Sequence, residues 1–223
     1  MSGTDIDDTG ISSAADVVAV IRRRIAAAEL APGTRLPEIE LAEEFGVPRS
    51  RIREAFIALE QLGMIERIPN HGAMVTRLTA AQVLELYDIR EVLDGLAVRL
   101  ATLSSPPETW APYVELYGEP AQRMVDDDDL DAFWALSDDF RQVVSARRNS
   151  SSLVALYDSL YERMGYVVRR LMLVPGRARN ALGELRGIVG AMHRGDAYEA
   201  EALMRANLRS ARAGFERHQK FLL

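Results

Sequence analysis

Arginines cluster at the start of one predicted helix, where Arg49, Arg51 and Arg53 stand around Ser50 just after Pro48. The opposite side of this helix is apolar, because hydrophobic residues recur at helical spacing: Ile52, Ala55, Phe56, Leu59 and Leu62. An arginine can donate two hydrogen bonds to guanine O6 and N7, and a helix in the major groove contacts bases through its N-terminal residues. Positive charge at a helix N-terminus opposes the helix dipole, a small cost that contact with DNA would explain. An exposed basic patch without a partner is the alternative interpretation.

A second candidate group lies in a long predicted helix, where Arg90 and Asp94 stand on the stripe that faces the core. A buried arginine needs a partner, because an unpaired charge in an apolar interior is costly. Asp94 follows Arg90 by four residues, which is the spacing of neighbours on one helix face. The favoured prediction is therefore an internal ion pair, and a ligand for Arg90 is the alternative.

Two short helices and a β-hairpin position the arginine cluster. The first helix is predicted to open at Pro37 and to end before Gly46, and the second is predicted to end before Gly63. Two strands, at residues 64–68 and 73–76, then flank a hairpin turn that contains His71 and Gly72. This order of elements predicts a winged helix-turn-helix with a two-stranded wing. His71 at the tip is more often a solvated turn residue than a catalytic one.

From Leu78 to the C-terminus the apolar pattern is helical, which predicts a compact bundle of six or seven helices with short links. The first of them follows a capping box that begins at Thr79 and runs to about Leu103. It is apolar on two sides, which is typical of a helix at the centre of a bundle.

Three weaker signals complete the pattern. Apolar spacing predicts a further helix at residues 14–29. Pro112 and Pro120 are expected to interrupt the segment that follows the long helix. The acidic run at residues 126–129 is expected to complement a helix dipole rather than to bind a metal.

The 223-residue chain has a net charge of −6, but its charge is unevenly distributed. Residues 14–78 contain nine arginines and nine acids, whereas residues 47–77 contain five arginines and three glutamates. A locally basic edge on an acidic protein suits a regulator better than a protein that coats DNA. Residues 1–13 are polar and acidic, and we expect them to be disordered.

Composition disfavours several classes of function. The chain has no cysteine, which excludes disulfides and thiolate chemistry and is compatible with a cytoplasmic location. No apolar run approaches the roughly 20 residues of a membrane span, and the N-terminus lacks a signal-peptide pattern. Because the sequence has no histidine cluster, no glycine-rich phosphate loop and no nucleophile with an adjacent base, we do not expect an enzyme.

Several stretches carry a family resemblance: PGTRLPEIELAEEFGVPRSRIREAFIALEQLGMIERIPNHGAMV, LYDIREVLDGLAVRLA, DLDAFWALSDDF and GDAYEAEALMRANL. Over residues 14–208 the chain resembles the GntR family of bacterial transcriptional regulators, in the FadR-like subfamily with an FCD ligand-binding domain. The resemblance implies a mainly α protein. It further implies a winged helix-turn-helix domain at residues 14–77 and an all-α FCD-type helical bundle at residues 78–223, for effector binding and dimerisation.

The resemblance also implies a homodimer that binds a palindromic operator in double-stranded DNA and responds to a small metabolite, often an organic acid. The family's DNA contacts correspond to seven residues here: Arg35, Arg49, Ser50, Arg51, Arg53, His71 and Gly72. Pro48 stands where many members have serine, and Arg51 where many have proline. The operator is therefore expected to differ from the family's common one.

Many FCD domains hold a divalent metal with one aspartate and three histidines, and the resemblance places other residues at those positions: Ser137, Arg141, Leu185 and Asn207. Leu185 cannot be a ligand, and the three histidines of the chain lie far apart in sequence, so neither a metal nor a cofactor is expected. Helical periodicity puts all four replacements on faces that point to one interior. The arginine among them supplies positive charge and paired donors that suit a carboxylate or phosphate.

These replacements favour a metal-independent pocket for an anionic effector, with Arg141 as the main contact and Arg90 among its residues. In the alternative, Arg141 pairs with an internal acid such as Asp94, and the pocket is collapsed or binds something apolar. The protein would then be a constitutive repressor or an architectural DNA-binding dimer.

Overall fold

The computed structural model describes residues 11–69, 71–147 and 151–223, except for the side chains of residues 151–156, 158 and 159. The chain divides into two compact units, residues 1–77 and 78–223, each with its own hydrophobic core. The predicted disorder of residues 1–13 falls mainly on residues 1–10, which lie outside the described residues. For Ser12 and Ser13 the prediction is wrong, because their backbone N–H groups donate hydrogen bonds to the Asp16 carboxylate.

The first unit combines three helices with a small sheet. In chain order its elements are α1 (Ala14–Ala26), β1 (Arg35–Leu36), α2 (Glu38–Glu44), α3 (Arg49–Gln61), β2 (Ile65–Ile68) and β3 (Gly72–Val75). A capping box between Ser13 and Asp16 starts α1. The helix ends at Ala26 rather than at Glu29, because Ala28 has a left-handed φ of 62° that an α-helix does not accommodate.

The helix-turn-helix has the predicted bounds to within a residue or two, with Pro37 and Pro48 at the N-caps of α2 and α3. Gly46, at φ 64°, makes the turn between the helices, where a side chain would add strain. The prediction of two strands in the wing is incomplete. β1 adds to the hairpin as a third antiparallel strand in the order β1-β3-β2, with Arg35 opposite Met74.

The second unit is all-α in its described residues, as predicted. Its helices are α4 (Ala80–Leu103), α5 (Ala111–Leu116), α6 (Glu119–Asp126), α7 (Leu130–Ala146), α8 (Ser151–Met172), α9 (Arg177–His193) and α10 (Ala197–Leu222), with a 3-10 turn at Pro107–Trp110. Pro112 and Pro120 lie in the first turns of α5 and α6, so they mark two helix starts rather than breaks within one helix. Asp129 caps α7 through its side chain. None of these helices, nor any other in the described part of the chain, could span a membrane.

Helix α4 begins at the predicted capping box of Thr79 and Gln82. One of its faces is buried in the bundle, but its second apolar face is not. Ile89, Val92 and Leu103 on that face remain 47%, 50% and 63% exposed. Helix α4 is therefore central as predicted on one of its two apolar faces, and the other face is open in a single chain. The half-buried residues Leu93, Leu96 and Leu100 continue the same open face.

Candidate functional site

The first candidate site is the N-terminal half of α3. Arg49, Ser50, Arg51 and Arg53 are all exposed in its first turns, while the opposite face of the helix, including Ile52, is buried in the core of the unit. The side chains of the three arginines are 54%, 47% and 58% exposed in that order. Their donors are therefore accessible to an external partner.

A carboxylate from the neighbouring helix contacts two of these arginines. The Glu38 Oε2 atom accepts a hydrogen bond of 2.8 Å from Arg53 Nε and lies 3.7 Å from the Arg49 guanidinium. Arg51 pairs with Glu54 of its own helix at 3.1 Å. Sequence reasoning did not identify Glu38, because no local spacing rule connects a residue in α2 with residues in α3.

The remaining predicted DNA contacts lie on the sheet of the same unit. Arg35 is exposed on β1, and His71 is exposed in the hairpin turn. The backbone N–H of His71 donates a hydrogen bond of 3.0 Å to the Ile68 carbonyl. Gly72 opens β3 with φ 80°, a conformation that favours glycine. Asn70 of the predicted turn lies outside the described residues. All seven predicted contact residues are thus at the surface of the first unit.

The second candidate site is a cavity of about 90 Å³ in the helical unit. Side chains from α4, α7, α8, α9 and α10 line it. A cavity needs roughly 10–15 Å³ to hold one water, so this volume suits several waters or a small organic molecule. The five predicted effector residues all line this cavity: Arg90, Ser137, Arg141, Leu185 and Asn207.

Four of these five residues are those that the family resemblance aligns with metal ligands, and their polar groups already have partners. The Ser137 hydroxyl donates to the Phe133 carbonyl at 2.9 Å, and the Asn207 side-chain amide donates to Glu184 Oε2 at 2.7 Å. Arg141 Nε donates to Asp138 Oδ1 at 2.9 Å, and its guanidinium carbon lies 4.1 Å from the centre of the Tyr161 ring. Leu185 contributes apolar surface. The predicted alternative paired Arg141 with an internal acid such as Asp94, and the acid that it contacts is Asp138 of its own helix.

Arg90 and Asp94 form the predicted internal ion pair. Their side chains are only 8% and 3% exposed, and Arg90 Nη2 lies 2.8 Å from Asp94 Oδ2. Burial works against the charge of Arg90, yet its pKa lies above the ordinary value because Asp94 and neighbouring tyrosines stabilise the cation. For Arg141 the pKa is raised in the same way, against burial, by Tyr161 and Asp138.

Sequence reasoning missed a third arginine of the cavity. Arg177 is 6% exposed, lines the cavity and donates to Glu184 at 2.8 Å, so Glu184 holds both Arg177 and Asn207. The position of Arg177 at the first residue of α9 reads as an ordinary helix start, since only the fold brings it against α4 and α10. The one hint in the sequence is that Arg177 stands directly between Gly176, which marks the predicted end of the preceding helix, and the apolar stripe that begins at Ala178.

Among the residues that line the cavity, three buried side-chain donor atoms have no hydrogen-bond partner among the described residues. They are the Tyr87 hydroxyl, Arg90 Nε and Arg177 Nε. Burial raises the pKa of Tyr87 to about 12, and it raises the pKa of Tyr161 to about 12 as well. Both phenols are therefore neutral at physiological pH. Two guanidinium N–H groups and a phenol around one cavity are a donor-rich environment, which favours acceptor atoms.

The donor set does not fit the divalent metal that the family resemblance implies. Of the four replaced positions, Leu185 has no donor atom, Arg141 is a cation and Asn207 is engaged by Glu184. Across the described part of the chain, no group of three or more His, Cys, Asp or Glu side chains has the arrangement of a metal site.

Two domain families match the sequence, one in each of the two units. Residues 13–75 match the bacterial regulatory proteins of the gntR family, and residues 85–210 match the FCD domain. A transcriptional regulator from an unstable DNA locus of Streptomyces ambofaciens is 31% identical over 214 residues, which is 93% of this chain and 87% of that protein. A probable D-xylose utilization operon transcriptional repressor from Paenarthrobacter nicotinovorans is 31% identical over 202 residues, covering 90% and 88% of the two chains.

Solved structures share the fold at lower sequence identity. McbR/YncC of E. coli superposes with a TM-score of 0.77 at 22% identity, over 93% of this chain and 99% of that one. A putative GntR regulator from Rhodococcus sp. RHA1 superposes with a TM-score of 0.73 at 23% identity, over 92% and 97% of the chains. With both domains matched in sequence and order, the chain belongs to the GntR family of bacterial transcriptional regulators and carries an FCD domain behind its winged helix-turn-helix.

Proposed function

We propose that this regulator binds a palindromic operator as a homodimer, and that a small anionic metabolite, held without metal in the helical unit, sets its operator affinity. The observation that carries the effector half of the proposal is the cavity at the replaced metal positions, lined by Arg90, Arg141 and Arg177. A regulator of this kind works in the cytoplasm, where the DNA is. The relatives are named as transcriptional regulators, which supports a regulatory rather than a catalytic role.

The exposed arginines of α3 support the proposed DNA contact. A helix whose N-terminal turns carry several exposed guanidinium groups can contact both phosphates and guanine edges in the major groove. The wing residues His71 and Gly72, and Arg35 on β1, are proposed to contact the DNA outside the groove that α3 enters. The unusual Arg51, exposed and paired with Glu54 of its own helix, adds a donor that can alter operator preference.

Replacing Arg49 or Arg53 by alanine is expected to weaken operator binding by about 1–3 kcal/mol for each base that the arginine reads. The operator is first selected from a random duplex library with the wild-type protein, and affinities are then measured by fluorescence anisotropy at fixed salt. Arg22→Ala serves as a control, since Arg22 lies in α1 outside the proposed contact residues. If both variants bind the selected operator as tightly as wild type, the assignment of α3 as the recognition helix is wrong.

The open apolar face of α4 supports the homodimer. Ile89, Val92, Leu96, Leu100 and Leu103 form one continuous stripe along the helix, and its exposed members would be in water in an isolated chain. A helix that is apolar on two sides is most stable when both sides are covered. A second copy of the same stripe, related by a two-fold axis, offers a cover of matching shape and polarity. The same axis would present two α3 helices to a palindrome.

The arginines of the cavity support an anionic effector. The described lining residues include three arginines and one carboxylate, Asp94, whereas the carboxylates that pair with Arg141 and Arg177 belong to residues outside the lining. A guanidinium has five N–H donors, and in Arg90 and Arg177 the buried Nε donor has no partner among the described residues. A carboxylate or phosphate can use such donors, and the aromatic and aliphatic walls can cover the rest of a small metabolite.

A metal chelator is expected to leave the melting temperature of the purified protein unchanged, whereas a suitable carboxylate raises it. At a hundredfold excess over Kd, binding stabilises by about 2.7 kcal/mol, which corresponds to roughly 5–10 °C for a domain of this size. A panel of small mono- and dicarboxylates is screened by thermal melts, with D-xylose as a neutral comparison because a relative is named for its utilization.

Two arginine variants make this experiment specific. Arg141→Met is expected to abolish the shift, whereas Arg179→Met, at a 70% exposed position on α9, is expected to keep it. A stoichiometric divalent metal in protein purified from cells, lost together with stability on chelation, would contradict the proposal.

One observation favours a second candidate function, a constitutive repressor or architectural DNA-binding dimer with a ligand-free cavity. All three cavity arginines already pair with internal acids, namely Asp94, Asp138 and Glu184. One measurement separates the effector-responsive regulator from the ligand-free dimer: the operator affinity with and without the carboxylates that raise the melting temperature. A ligand-free regulator shows no such carboxylate and the same affinity throughout.

A further inference from the structure

We propose that Glu38 is a positioning residue for base recognition, which orients Arg53 and Arg49 before DNA arrives and thereby raises selectivity for the operator. The proposal rests on the proposed contact of these arginines with DNA. It adds a residue outside the recognition helix that does not itself read bases.

The geometry places one carboxylate oxygen between two arginines of α3. Glu38 Oε2 lies 2.8 Å from Arg53 Nε, within hydrogen-bond distance, and 3.7 Å from Arg49 Nη2. Arg49 and Arg53 are four residues apart, on one face of α3, whereas Glu38 is the first residue of α2. The Glu38 side chain is only 27% exposed, so it is partly shielded between the helices, while the two arginine side chains are more than half exposed.

The atoms used matter for the chemistry. The hydrogen bond to Glu38 engages Nε of Arg53 and leaves the two terminal Nη groups as donors at the far edge of the guanidinium. Guanine presents O6 and N7 side by side in the major groove, a pattern that suits two donors from one plane. Glu38 therefore holds Arg53 in an orientation that keeps a donor pair available for an external acceptor.

The energetics separate this role from a purely structural one. An exposed ion pair contributes little to folding, because water competes for both charges. In binding, however, a long side chain that is already held in place loses less conformational entropy when it meets its partner. The Glu38 charge also repels phosphate wherever the arginines gain no base contact, so it lowers affinity for non-operator DNA.

The test compares Glu38→Gln with Glu40→Gln in the full-length protein. Both glutamates lie in the first turn of α2, where a negative charge suits the helix dipole, but within the described part of the chain the Glu40 carboxylate pairs with no arginine. Affinities are measured for the duplex selected by the wild-type protein and for a scrambled duplex of the same composition, over a range of salt concentrations.

Glu38→Gln is expected to lower the ratio of operator to scrambled-duplex affinity by about three- to tenfold, the effect of ordering one or two long side chains. Binding to the scrambled duplex should strengthen, and its salt dependence should steepen by up to about one unit of slope. Glu40→Gln should leave the ratio unchanged. Glu38→Asp keeps the charge but withdraws the carboxylate from Arg53, and we expect it to lower the ratio as well.

Equal ratios for wild type and Glu38→Gln, or equal losses in Glu38→Gln and Glu40→Gln, would overturn the inference while leaving DNA binding intact. A Glu38→Asp variant that keeps the wild-type ratio would do the same, because charge alone would then account for the effect. If the wild-type protein selects no duplex at all, the proposed function itself fails, and that outcome is distinct from the other three. Thermal melts of each variant confirm that the first unit is folded.

Discussion

Replacing Asp94 by alanine is expected to lower the free energy of unfolding of the helical unit by about 3–5 kcal/mol. Arg90 stays behind as a buried cation without its carboxylate, with Tyr161, whose ring centre lies 5.0 Å away, as a weak substitute. Arg90 Nε already lacks a partner among the described residues, so removing Asp94 leaves the guanidinium still less satisfied. Since whole domains are stable by about 5–15 kcal/mol, this loss is a large fraction of the total.

Urea unfolding followed by tryptophan fluorescence measures this effect in the full-length protein. Both tryptophans, Trp110 and Trp134, lie in the helical unit, so the signal reports on that unit alone. Glu91→Ala is the matched control, because Glu91 lies in the same helix and pairs with Arg209 at the surface. Its loss is expected to stay below about 1 kcal/mol. Equal losses for the two alanine variants would mean that the buried pair contributes no more to the free energy of unfolding than a surface pair does.

A double replacement separates the stability of the pair from its function. Arg90→Met combined with Asp94→Leu removes both charges and fills the space with apolar atoms, which is often neutral or stabilising. We expect this variant to be at least as stable as wild type in urea. If the cavity binds an anion, the variant should also lose part of the carboxylate-induced shift in melting temperature. The pair would then have been retained for ligand binding rather than for stability.

Val92→Glu is expected to weaken the proposed homodimer at least about a hundredfold, or about 2.7 kcal/mol. A two-fold interface repeats every change, so two carboxylates enter one apolar contact and lose hydration without gaining partners. In the isolated chain Val92 is 50% exposed, so the substitution should leave the fold of the protomer intact. Sedimentation equilibrium over a range of protein concentrations gives the dissociation constant.

Val114→Glu is the control for this variant. It makes the same change on α5, at a position 39% exposed and away from the α4 stripe. The control should remain dimeric, and both variants should melt at nearly the wild-type temperature. A Val92→Glu protein with the wild-type dissociation constant would show that the stripe of α4 is not the dimer interface. Operator affinity should fall along with the dimer, because two half-sites need two linked copies of α3.

The sequence by itself determined the elements of this protein and the family to which it belongs. The capping box at Thr79 and the turn at Gly46 could be located because caps and turns depend on residues only a few positions apart. The periodicity of apolar residues, also a local property, predicted α3 and its exposed arginines. The same periodicity placed Ser137, Arg141, Leu185 and Asn207 on inward faces, and all four line one cavity.

The tertiary structure decided which partner each charged group has, and which apolar face stays open. Arg141 pairs with Asp138 rather than with Asp94, and Glu38 reaches an arginine 15 positions away. Helix α4 is apolar on two sides in sequence, but only the packing of α7 to α10 decides which side this chain buries by itself. The physical reason is common to these cases. Helix formation rests on neighbours along the chain, whereas ion pairing and burial depend on distances that exist only after distant elements have packed.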